Sequence, residues 1–133
     1  MKYLLDTNIC IYLIKDKPIS VRHHFEAHII GDVGVSSITV AELQYGAEKS
    51  QQIERNLAAL QQFFLPLVIA DFDMEAAYRY GRIRAYLEKQ GTPIGSLDML
   101  IAAHALSLGV TLVTNNVKEF TRVPELRLEN WIE

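Results

Sequence analysis

Asp6, Glu42 and Asp98 are the side chains whose type and setting point most directly to chemistry. Asp6 ends the short apolar run of YLLDTN, Glu42 lies in SSITVAEL, and Asp98 lies in GSLDMLIAAHA. A fourth polar site, TNNVKEF at residues 114–120, offers Asn115 and Asn116. Each has an ordinary local use. Asp6-Thr7-Asn8 can cap a helix, and Thr39 with Glu42 matches the S/T-x-x-E capping box. Asp98 suits the first turn of a helix dipole, and the asparagines suit a turn. These uses are independent of one another, and none requires the four sites to meet. Carboxylates that do meet raise one another's pKa and call for a counter-cation. An all-oxygen donor set without a cysteine cluster or an organised histidine pair suits Mg²⁺ or Mn²⁺. Such an ion can activate water and neutralise charge on the oxygen leaving a phosphate ester.

The elements decide whether these groups converge. Short apolar strands are expected at Lys2–Leu5, Val33–Val35, Leu67–Ile69, Thr111–Val113 and Leu126–Leu128. Between them, helical periodicity covers Asn8–Lys15 and Pro18–Ile30 with a break near Pro18, then Thr39–Ala47, Gln51–Phe64, Met74–Gln90 and Leu97–Leu108. Gly109 is placed as the C-cap of the last. Strands that are apolar throughout and alternate with helices imply a mostly parallel sheet of about five strands covered on both faces. The fold class is therefore α/β, and ligands of such sheets gather beyond the C-terminal strand ends. Asp6 and Asn116 both follow strands, and Glu42 and Asp98 lie early in helices.

Composition sets the frame. The 133 residues suit one domain, 1–133, with 50% hydrophobic and 22% charged residues, which argues against disorder. The net charge of −3 gives no sign of a broadly basic nucleic-acid binder, although a local patch can act against an acidic average. Cys10 is the only cysteine, so an intrachain disulfide is excluded and a reducing cytoplasm fits. The longest uncharged stretch, Met99–Asn116, contains His104, Gly109 and two asparagines and reads as helix, turn and strand, not as a membrane span.

The segments LLDTN, SSITVAEL, GTPIGSLDMLIAAHA and VTNNVKEF, in this order and spacing, resemble the PIN-domain nucleases, and in particular the VapC toxins of bacterial toxin–antitoxin pairs. The resemblance runs from Lys2 to the closing RLENWI. It implies a three-layer α/β/α sandwich in which Asp6, Glu42 and Asp98 form an acidic metal site for Mg²⁺, with Mn²⁺ able to substitute. The family's usual fourth acid falls at Asn116, so this chain has one negative charge fewer there. Thr7 and Thr114 match hydroxyls that support the carboxylates from behind. The implied reaction is metal-dependent hydrolysis of an RNA phosphodiester, leaving 5′-phosphate and 3′-hydroxyl ends. The implied substrate is structured RNA, a tRNA anticodon loop, with initiator tRNA the best guess. A homodimer and a cognate antitoxin lying across the acidic groove are implied as well.

Arg79, Arg82, Tyr86 and Lys89 fall on one face of the Met74–Gln90 helix and could hold an RNA backbone and stack a base. A solvated helix face is the plainer reading. Lys49 and Arg55 are further possible phosphate contacts. The i, i+4 pair His24 and His28 reads as polar helix surface, and His104 as a hydrogen-bonded core residue. Ile9, Ile11, Tyr12, Leu13 and Ile14 make the first helix apolar nearly all round, which suits burial or an interface. Two other phosphate chemistries are weighed: a phosphatase that also begins with an aspartate after strand one, and a receiver domain with a phospho-accepting Asp after the third strand, near which Asp71 and Asp73 sit. A haloacid-dehalogenase-type phosphatase needs a second Asp where this chain has Asn8, and a receiver domain needs an early acidic pair absent here. A PIN module that binds RNA or a partner without cutting is the non-enzymatic alternative; such modules tend to lose the acids kept here.

Overall fold

The computed structural model describes residues 1–15 and 19–132, so the expected break at Pro18 lies outside the described residues. Along the chain run β1 (Tyr3–Leu5), α1 (Thr7–Lys15), α2 (Ile19–Glu26), β2 (Val33–Ser36), α3 (Ser37–Glu48), α4 (Ile53–Phe64) and β3 (Val68–Ala70). They are followed by α5 (Met74–Gln90), α6 (Ser96–Leu108), β4 (Thr111–Val113), α7 (Val117–Phe120) and β5 (Leu128–Glu129). The five strands are all parallel, in the order β3-β2-β1-β4-β5.

Successive strand residues point to opposite faces, and this alternation divides the core in two. Leu4 and Leu112 face one layer, packed with Ile83 and Leu87 of α5, Ile101 of α6, and Phe120. Leu5 and Val113 face the other, with Ile9 and Leu13 of α1, Leu43 of α3, Leu60 of α4, and Trp131. Each fully buried side chain of this size contributes roughly 1.5–3 kcal/mol. The expected sandwich of helices on both sides of a five-stranded parallel sheet is the fold found.

Several boundaries differ from the sequence reading, each for a local reason. Helix α3 begins at Ser37 because the Ser36 side chain accepts from Ile38 N–H at 3.0 Å. That moves Thr39 inside the helix, where it is wholly buried, so Thr39 and Glu42 do not form a capping box. Helix α2 stops at Glu26 and the chain turns at Gly31, whose φ of 101° favours glycine. Strand β5 starts later than expected, since Leu128 pairs opposite Leu112 and Glu125 turns the chain with a φ of 69°. Gly109 caps α6 as expected, with φ 67° and its N–H donated to Leu106 O. Among the described residues no helix is long and apolar enough to cross a membrane.

Candidate metal centre

The strand order reverses between β1 and β4, and the C-terminal ends of these two neighbours form the crevice where open α/β sheets bind ligands. Leu5 and Val113 are partners in register, so Asp6 and Thr114 emerge side by side. Asp6 is buried, with both carboxylate oxygens held. Oδ1 accepts from the Thr7 N–H at 2.8 Å, and Oδ2 from the Thr114 hydroxyl at 2.8 Å. Thr114 Oγ1 in turn accepts from the Asn116 N–H at 3.0 Å. The Asp6 carbonyl takes the first helical bond of α1, from Cys10 N–H at 3.2 Å. The backbone of Asp6 therefore starts a helix while its carboxylate belongs to the crevice.

Glu42 approaches from α3, where the Thr7 hydroxyl donates to its Oε1 at 2.8 Å. Thr7 Oγ1 also lies 3.1 Å from Thr39 Oγ1. With its own proton on Glu42, Thr7 can only accept there, so the Thr39 hydroxyl donates. Thr7 and Thr114 thus each donate to carboxylates of this group, and Thr39 donates to Thr7. Asp98, in the first turn of α6, completes the set.

The electrostatics show the convergence. The Asp98 carboxyl is pushed up to about 6, first by burial, then by the charges of Asp6, Glu119 and Glu42. Asp6 is raised too, mainly by burial and in part by Glu42, while the bonds from Thr114 and Thr7 oppose the rise. None of the charges that shift Asp98 is a cation. Glu119 was missed in the sequence. It lies in α7, where its Oε2 accepts from Asn116 Nδ2 at 3.3 Å. A carboxylate therefore stands beside the asparagine that occupies the fourth site. The available signal was the i, i+3 spacing of Asn116 and Glu119 within TNNVKEF.

Among the described residues, no three His, Cys, Asp or Glu side chains are gathered tightly enough to cage an ion by themselves. Carboxylates whose charges act on Asp98 with no cation among them, all oxygen and short of a full cage, fit Mg²⁺ or Mn²⁺, which retain several waters. They do not fit a structural zinc site.

The remaining expected site residues fall elsewhere. A groove of about 880 Å³ opens beside Thr7 and Glu42, between α1, α3 and α4. Ile11 and Ile14 line it, so the apolar first helix is only partly buried. Lys49 and Arg55 stand on the same groove, and the Lys49 ammonium sits 4.8 Å over the Tyr45 ring. On α5, Arg82, Tyr86 and Lys89 are exposed and Arg79 is half-buried, whereas Ala76, Ile83 and Leu87 form its core side. Asp73 caps α5 by accepting from Ala76 N–H at 3.1 Å.

The histidines divide. His24 and His28 do not simply project into solvent: their rings stack on Trp131 at 5.7 and 5.3 Å. His104 is wholly buried, and Nδ1 meets Ser36 Oγ at 2.8 Å.

The PIN domain family matches residues 3–126 of this chain. The chain belongs to the PIN-domain family. Within it, the sequence is 51% identical to the tRNA(fMet)-specific endonuclease VapC of Shigella flexneri, over 98% of both chains. It is 52% identical to ribonuclease VapC2 of Haemophilus influenzae, over 99% of both. A chain of the DNA-bound VapBC crystal structure from Salmonella typhimurium superposes with a TM-score of 0.94 at 48% identity, covering 98% of each. This PIN domain is accordingly of the VapC ribonuclease type.

Proposed function

We propose that this PIN domain is the toxin of a toxin–antitoxin pair, a divalent-metal-dependent endoribonuclease that cuts structured RNA and is inhibited by its cognate antitoxin. The observation that carries the reading is the raising of Asp98 by the charges of Asp6, Glu119 and Glu42, and of Asp6 by Glu42, with no cation among the groups that shift Asp98. Initiator tRNA is the substrate favoured by the tRNA(fMet) specificity of the Shigella relative, and the anticodon loop is the proposed place of the cut. A cytoplasmic site of action follows from that substrate.

The chain's own residues do the following. Thr7 N–H and Thr114 hold Asp6 so that each of its oxygens keeps a lone pair for the cation. The Thr7 hydroxyl orients Glu42, leaving Oε2 for the cation or for an attacking water. Asp98 supplies the third carboxylate. Asn116 and Glu119 close the side beyond β4, where Asn116 can position water. When bound, Mg²⁺ or Mn²⁺ supplies the charge that lets water attack phosphorus at neutral pH and stabilises the departing oxygen. Breaking the bond between phosphorus and the 3′ oxygen leaves 5′-phosphate and 3′-hydroxyl ends. Lys49 and Arg55 on the groove, with Arg79, Arg82, Tyr86 and Lys89 on α5, provide phosphate and base contacts along the flanking RNA. The apolar groove beside Glu42 is the seat proposed for the antitoxin segment, and the protein acts as a homodimer within a larger toxin–antitoxin assembly.

The test is cleavage of initiator tRNA by antitoxin-free protein, with the product ends sequenced. Asp6→Asn or Asp98→Asn removes a ligand worth several kcal/mol in the transition state, which lowers the rate by about 10²–10³-fold. Excess EDTA abolishes cleavage. Binding without cutting, unaffected by EDTA, would instead establish the inert RNA-binding module.

A further inference from the structure

Asp98 differs from its neighbours in how it is held. Thr7 and Thr114 tether Asp6, and Thr7 tethers Glu42, but among the described residues no hydrogen bond holds the Asp98 carboxylate. Its position follows from where α6 lies. Much of α6 is smooth and apolar: Ile101, Ala102, Ala103 and Ala105 are all essentially inaccessible. Such contacts are non-directional, and a row of methyl groups does little to fix a helix against sliding or turning about its axis.

A directional contact ties α6 to the Glu42 side of the fold. His104 Nδ1 meets Ser36 Oγ at 2.8 Å across the core. Among the described residues, this bond alone joins an α6 side chain to the strand and helix that carry Glu42; the Asp71 backbone also acts on the imidazole, and the Ser107 hydroxyl bonds within α6, to His104 O. Ser36 ends β2 and caps α3, accepting from Ile38 N–H at 3.0 Å. In the neutral state with the proton on Nε2, the Ser36 hydroxyl donates to His104 Nδ1 while its oxygen serves the cap. The Phe72 ring stands edge-on to the imidazole at 5.4 Å and limits its rotation. The same serine therefore fixes the start of the helix bearing Glu42 and the middle of the helix bearing Asp98. His104 lies six residues after Asp98, roughly 9 Å along the axis.

We infer that His104 is a positioning residue: by bonding to the Ser36 cap it sets the height and rotation of α6 against α3, and so the placement of Asp98 opposite Glu42. This rests on the reading of Asp98 as a metal ligand and adds the group that aims it. His104 touches neither substrate nor cation.

The experiment uses the full chain, with Mn²⁺ binding measured by calorimetry in the absence of RNA, steady-state cleavage of tRNA, and thermal melting. His104→Leu fills much of the space and removes the bond; His104→Asn restores a polar group near the place of Nδ1, and His104→Gln puts one near that of Nε2. The expected result is a folded Leu variant with about tenfold weaker Mn²⁺ binding and about tenfold lower kcat, KM for RNA staying within about twofold, and substantial recovery in the Asn variant. A folded Leu variant with native Mn²⁺ affinity and kcat overturns the inference. If the Leu variant does not fold, the Asn and Gln variants decide: higher kcat and Mn²⁺ affinity for Asn support it, and equal values overturn it. Asp98→Asn is run alongside. If that variant binds Mn²⁺ and cuts like the native chain, the acidic-site reading itself fails and the inference falls with it; if only His104→Leu is silent, the positioning role alone is lost.

Discussion

The Thr114 hydroxyl links two groups of the site, donating to Asp6 and accepting from Asn116 N–H. Thr114→Val keeps the shape but withdraws a charge-assisted bond and leaves that N–H without its partner. The expected cost is about 10–100-fold in Mn²⁺ affinity, read by calorimetry, with little change in secondary structure. Proton competition gives a second expectation. The Asp98 carboxyl, at about 6 in the metal-free protein, must ionise to bind a cation. Mn²⁺ affinity should therefore be level above pH 7 and fall by up to about tenfold per unit below pH 6; a titration flat down to pH 5 would contradict it. At this scale the sequence was informative about Asp6, Glu42 and Asp98, since strand ends and helix starts are visible in local pattern. Glu119 escaped because α7 has only four residues, too few to show a period. Thr39 does not cap: an S/T-x-x-E match cannot tell which hydroxyl starts the helix, and Ser36, three residues earlier, takes that place.

Among the elements, α6 carries the most function for its length. Its end is fixed by Gly109, with φ at 67°. Gly109→Ala puts a Cβ into the left-handed region at a cost of roughly 1–2 kcal/mol, although no atom lies within 4 Å of the added carbon. Chemical denaturation should show a lower midpoint with an unchanged slope. Gly109 was legible because its signal is local. The stacking of His24 and His28 on Trp131 was not, because it joins α2 and the turn after it to residues just beyond β5, more than 100 positions later. Strand β5 was placed slightly early for a related reason: pairing with β4 sets its register, and that partner acts through space.

For the whole molecule, the acidic crevice trades stability for binding. The Asp98 carboxyl holds its proton more tightly in the folded chain than in the unfolded one. Its contribution to stability is present below the ordinary carboxylate value of 3.8 and is lost as pH rises through about 6. Asp98→Asn should thus melt higher than the native chain at pH 7 without metal, by roughly 2–5 °C after allowance for solvent screening. Added Mn²⁺ should raise the native melting point and leave the variant nearly unmoved. The three-layer architecture was legible from apolar strands alternating with amphipathic helices. The strand order was not, since periodicity marks a strand without naming its neighbours.

That strand order has a consequence for synthesis. β1 lies at the centre of the sheet, yet its partner β4 begins at Thr111, so Asp6 leaves the ribosome long before Thr114 exists to hold it. At ordinary translation rates the interval is about 5–20 s. No contiguous piece of the chain carries more than one of Asp6, Glu42 and Asp98 within a single element, and the crevice is assembled only when the last third of the chain is in place. A nascent chain cannot harm the RNA around it, and for the proposed toxin the hazard starts with the finished molecule. An antitoxin made alongside it has that interval in which to be waiting.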